Sequence, residues 1–100
     1  MDNKTGEMLR GISPFPRRRG FEASEGMSGD LIMILQIMLN ELRILHDGYT
    51  HIPISGRYNI NTAGAVREFQ KAAALPQTGR VNLETWNRLA QEYDMVLNMD

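Results

Sequence analysis

Two heptapeptides, GRYNINT (residues 56–62) and GRVNLET (residues 79–85), follow one order of residue types: glycine, arginine, apolar, asparagine, apolar, polar, threonine. Each position has a physical task. Glycine admits a positive φ that other residues resist, the apolar residue plugs a core, and the asparagine accepts a hydrogen bond from a free amide in the first helical turn. The motif therefore predicts two helix entries of one design. The apolar spacing agrees: Ala65, Val66, Phe69 and Ala73 form one stripe after Asn59, and Trp86, Leu89, Ala90 and Tyr93 form another after Asn82. Between them, LPQTG (residues 75–79) ends the first of these helices, because Pro76 lacks an amide donor and Gly79 can turn the chain. No longer internal repeat is expected.

A third helix is predicted upstream, in GDLIMILQIMLNELRIL (residues 29–45). At about 100° per residue, Ile32, Leu35, Leu39 and Leu42 face one way, flanked by Leu31 and Met38. Met33, Ile37 and Ile44 fall on roughly the opposite side, so this helix is apolar on two faces. Leaving the second stripe in water is unfavourable, at about 25 cal/mol per Å² of apolar surface. The arm before the helix, with Phe15 and Phe21, is the first candidate to cover it; a second copy of the chain or another protein comes next. That arm, residues 1–28, carries Pro14 and Pro16 and no sustained period, and residues 29–97 make the domain. The fold expected is all-α: a small three-helix bundle with structured loops behind a largely irregular N-terminal arm. Trp86 and Phe69 are its largest fillers. Gly64, inside the second helix, fits a place where another backbone comes close.

These elements, taken in order, resemble the peptidoglycan-binding domain family of the three-helix type, found attached to bacterial cell-wall hydrolases. The opening helix matches at Gly29, Ile32, Leu35, Gln36 and Leu39, and DGY (residues 47–49) resembles the turn after it. The second module matches at Gly56, Tyr58, Thr62, Ala65, Val66, Phe69 and Gln70, and the third at Leu75, Gly79, Val81, Thr85, Trp86 and Leu89. The resemblance covers about residues 29–91. Two departures stand out: Asn59 replaces the family's usual glycine, and Ser55 stands where an acid is common, next to a loop lengthened by THIPI. The resemblance implies a non-catalytic module that binds peptidoglycan or its fragments and brings a fused or associated hydrolase to the wall. It also implies a cell-wall or extracellular setting if the chain belongs to a longer exported protein. The first residues, MDNKTGEMLRG, have charge and glycine where a secretory signal needs an apolar run, which leaves a cytoplasmic setting open.

Residue chemistry points away from turnover. There is no cysteine for a disulfide or thiolate site, and only two histidines. His46, Asp47 and His51 lie on a loop without the ligand count that zinc needs, so neither a metal nor a cofactor is expected. Serines 13, 24, 28 and 55 sit in arm or turn contexts, and Glu41, Glu68, Glu84 and Glu92 on polar helix faces, where they read as surface charges rather than a catalytic pair. With 11 Lys+Arg against 12 Asp+Glu, no broad field gathers nucleic acid, and Arg17, Arg18 and Arg19 read as a solvated run. The apolar run LIMIL is far short of the roughly 20 residues of a membrane helix, so no membrane partner is expected. For a glycan–peptide ligand, the loop residues of suitable type are Tyr49, Arg57, Tyr58, Asn61 and Arg80; Tyr58 is equally suited to plug the core before Asn59. Met33, Ile37 and Ile44 are the candidate interface for another protein or for self-association through the first helix.

Overall fold

A computed structural model of the chain describes residues 13–42, 45 and 50–99. Three helices follow in order: α1 (Asp30–Glu41), α2 (Ile60–Ala72) and α3 (Leu83–Leu97). Among the described residues there is no strand, only two isolated antiparallel bridges, Ala23 with Val81 and Ser28 with Arg57. The all-α bundle read from the sequence is the observed architecture.

α1 packs on both other helices and so forms the spine of the core. Its inward residues Ile32, Leu35, Met38 and Leu39 are buried, as the helical period requires, together with Val66 and Phe69 of α2 and Trp86 and Leu89 of α3. α1 ends four residues earlier than its apolar pattern: Leu42 is the cap, and the amide of Leu45 turns back to the Leu42 carbonyl at 2.9 Å. Both predicted asparagine caps are present. Asn59 accepts from the Thr62 amide at 3.0 Å and Asn82 from the Thr85 amide at 2.9 Å.

The end of α2 differs from expectation. Ala74, not a glycine, takes the left-handed conformation at φ 59°. It does so because two orphan carbonyls are closed there: the Leu75 amide bonds Gln70 O at 2.8 Å and the Ala74 amide bonds Lys71 O at 3.2 Å. This is the paired closure of a Schellman cap, with alanine bearing the strain glycine would avoid. Gly79, read from the sequence as the turn residue, turns the next loop instead.

Residues 13–28 contain no helix, yet they are built into the domain. Ala23 and Val81 exchange both backbone hydrogen bonds at 2.9 Å; further along, the Gly26 amide bonds Tyr58 O and the Tyr58 amide bonds Met27 O. Phe15 is buried and stacks on Trp86, ring centroids 5.0 Å apart and planes 24° apart, while Phe21 meets Phe15 edge-on. The arm's aromatics therefore cover the tryptophan, not the outer stripe of α1. On that stripe Met33 is 40% exposed, Ile37 is half-buried, and Ile44 lies outside the described residues. No helix among the described residues is long and apolar enough to cross a membrane.

Candidate functional site

The two heptapeptides fold into two loops of the same construction, each wired to a buried glutamine. Gln36 on α1 accepts from the Gly56 amide at 2.8 Å and donates to Arg57 O at 2.9 Å and Thr62 Oγ1 at 3.0 Å. Gln70 on α2 accepts from the Gly79 amide at 3.0 Å and donates to Arg80 O at 2.9 Å and Thr85 Oγ1 at 3.3 Å. Gly56 and Gly79 sit at φ 77° and 76°, the conformation that turns their amides inward toward these side chains. A hydroxyl just before each glycine, Ser55 or Thr78, accepts from the amide of the following arginine and donates to its carbonyl. Both glutamines are fully buried with their amide groups satisfied, which fixes the loops rigidly relative to the helices.

Rigid loops leave a groove of about 370 Å³ on one side of α2. One wall is the segment Thr50–Pro53, and the floor and far wall are Ile60, Asn61, Gly64, Ala65 and Glu68 of the helix. The loop wall is tied down twice. The Asn40 side chain donates to Ile52 O at 2.8 Å and accepts from its amide at 2.9 Å. Glu68 takes the Thr50 amide at 3.2 Å and the Thr50 hydroxyl at 3.1 Å on its two oxygens. Ile60 stands 73% exposed at the rim, an apolar residue that no part of the fold buries.

Gly64 is the unusual feature of this groove. It is helical, so no positive φ asks for glycine, and among the described residues a Cβ placed on it would meet nothing within 4 Å. The expected close approach of another backbone is not found among the described residues. Glycine in a helix interior is less favourable than alanine by about 1 kcal/mol, and nothing in the fold offsets that here. What glycine does provide is depth in the groove floor.

The structure separates the candidate binding residues. Asn61 lines the groove. Arg57 is exposed and contributes its backbone to the Gln36 hub, and Arg80 is exposed in an ion pair with Glu22 at 3.1 Å; neither lines the groove. Tyr49 lies outside the described residues. Tyr58 belongs to the core: it is 2% exposed, and its hydroxyl donates to Gly79 O at 2.6 Å, joining the two loops. Burial pushes its phenol well above the ordinary range, with Glu25 adding to the shift and Arg67 and Arg80 opposing it. Its ring is closed to ligands. Gly64, Thr50, His51 and Glu68 line the groove with Asn61 though residue type did not select them as ligand contacts; the signal in the sequence was Gly64, a helix-weakening residue in an otherwise regular stripe.

Among the described residues no three His, Asp or Glu side chains converge as metal ligands, and His46 and Asp47 lie outside them. Arg18 lies over the Phe21 ring at 5.3 Å, a local partner for one member of the arginine run.

No curated protein matches the chain. Among solved structures, the N-terminal domain of SleB is similar, with a TM-score of 0.62 and 25% identity over 73% of this chain and 93% of that one. The model of the peptidoglycan binding domain family matches residues 28–89, the span that holds both glutamine hubs, the Asn40 and Glu68 ties and the groove. Together with the helix order, the paired glutamine hubs and this match over more than half its length, the chain belongs to the peptidoglycan binding domain family, a family of cell-wall-binding modules.

Proposed function

We propose that the protein binds peptidoglycan in the groove over α2, without catalysing its cleavage, and that it thereby holds a fused or associated wall hydrolase at its insoluble substrate. The observation that supports this groove is Gly64, a residue that weakens its helix and, among the described residues, meets no packing or conformational need. The lining suits a glycan bearing a short peptide. Asn61 offers both a donor and an acceptor to acetamido or peptide amides, and Ile60 and Pro53 offer apolar contact to methyl groups and sugar C–H faces. The groove is shallow and its walls are fixed, so affinity per site is modest; attachment to a polymer raises the local concentration of whatever is linked to the module. In this reading the protein works at the cell wall.

Co-sedimentation with purified sacculi tests this. The wild-type protein is expected to pellet with the wall, and Asn61→Ala to bind about three- to tenfold more weakly at an unchanged melting temperature, the loss of one modest hydrogen bond. Pelleting no greater than that of an unrelated protein contradicts the reading.

A further inference from the structure

The equivalence of the two loops runs further than the heptapeptides. At the offset that relates the heptapeptides, Ile52 and Pro53 before the first loop correspond to Leu75 and Pro76 before the second, and the same offset carries Ile60 onto Leu83 and Asn61 onto Glu84. It also carries the groove. A second depression of about 450 Å³ lies over α3, between Leu75 and the helix, and its helical lining residues occupy the positions that line the first groove on α2. Leu83 is exposed at this rim as Ile60 is at the other. The chemistry, however, has changed: Asn87 replaces Gly64, Arg88 replaces Ala65, and Gln91 replaces Glu68.

We propose that the groove over α3 is a second peptidoglycan subsite, and that it takes the carboxylate-bearing end of the peptide stem. This rests on the binding function proposed above. The first groove holds a carboxylate, Glu68, against which a stem carboxylate is repelled. The second presents the amides of Asn87 and Gln91 beside the Arg88 guanidinium, whose Nε meets Glu92 at 3.4 Å and whose planar fork suits a carboxylate. Glu84 lies at the entry of α3, about 10 Å along the helix from Gln91, so the ligand's carboxylate belongs at the Arg88–Gln91 end. Two rigidly held grooves on one small domain let a single chain grip two units of a repeating polymer.

The test is an amide-resolved NMR titration of the whole chain with a soluble disaccharide–peptide fragment of peptidoglycan. Binding is expected at two separate sets of amides, around Asn61 and Gly64 and around Asn87 and Gln91. Asn87→Trp, at an exposed helical position, is expected to abolish the second set alone, and amidating the fragment's carboxylates to weaken that set alone. On intact sacculi the same variant is expected to bind at least about tenfold more weakly, through loss of the linked second contact. Shifts confined to Asn61 and Gly64, or an Asn87→Trp variant with wild-type affinity for sacculi, overturn the second subsite and leave the first standing. No shift at either set overturns the peptidoglycan reading and this subsite with it.

Discussion

Trp86→Ala is expected to remove a large share of the domain's stability at 25 °C. The indole is 1% exposed and is covered by the stacked Phe15 ring, so its removal empties the place where the arm, α3 and the shared core meet. Truncating a buried aromatic costs about 3–5 kcal/mol, against a total of about 5–15 kcal/mol for a domain of this size. Phe15 would lose its stacking surface, and with it the anchor of residues 13–21. Trp86→Phe is the informative companion. The indole Nε1 is buried without a hydrogen-bond partner among the described residues, and an unsatisfied buried donor is itself unfavourable by about 1–3 kcal/mol, so the phenyl ring loses volume but sheds that penalty. Urea unfolding followed by circular dichroism should place Trp86→Phe far closer to wild type than to Trp86→Ala. A loss below about 1 kcal/mol for Trp86→Ala would mean that the core is centred elsewhere.

The second large effect concerns the glutamine hubs. Gln70→Glu keeps the shape and the acceptor for the Gly79 amide, but the carboxylate cannot donate to Arg80 O or Thr85 Oγ1. Burial and the facing carbonyl both disfavour the charged form, and one amide donor favours it; two effects against one raise the folded-state pKa above the unfolded value of about 4.3. The sign of the pH dependence follows. The protonated acid restores a donor, so the variant keeps its stability below about pH 4 and loses it as pH rises through the raised folded-state value. Relative to wild type at the same pH, we expect a deficit of about 2–4 kcal/mol at pH 7 that shrinks toward pH 4. Gln70→Leu should be destabilised without that recovery. Equal deficits at both pH values for Gln70→Glu would show that the glutamine is not the wired centre of its loop.

Much of the bundle was legible because periodicity and capping are local. The spacing of Val66 and Phe69 or of Trp86 and Leu89 needs only the helical repeat, and Asn59 and Asn82 announce their helices within three residues. The pairing of Gln36 with Gly56 and of Gln70 with Gly79 joins distant positions, and a buried glutamine reads in isolation like any polar helix residue. The role of the arm was missed for the same reason. Phe15 supplies an apolar ring, but whether it lands on Met33 or Trp86 is decided by the backbone pairing of Ala23 with Val81, which alternation within so short a segment does not reveal. Tyr58 shows the limit of residue type as a guide: tyrosine on a loop suits a sugar ring and a core equally well, and only the Gly79 carbonyl over its hydroxyl decides. Gly64 carried the opposite lesson, since its cost was visible in the sequence while the open space above it was visible only in the structure.

That empty space offers the most direct measurement. Gly64→Leu places a side chain into the groove from a position where an added Cβ meets no atom of the described residues within 4 Å, and it improves helix propensity by roughly 0.5–1 kcal/mol. Binding to purified sacculi and thermal unfolding should be measured on the same preparation. The account predicts a melting temperature equal to wild type or a few degrees higher, with affinity reduced at least about tenfold. Wild-type affinity in a variant that melts at or above the wild-type temperature would contradict it, and would move the site off α2.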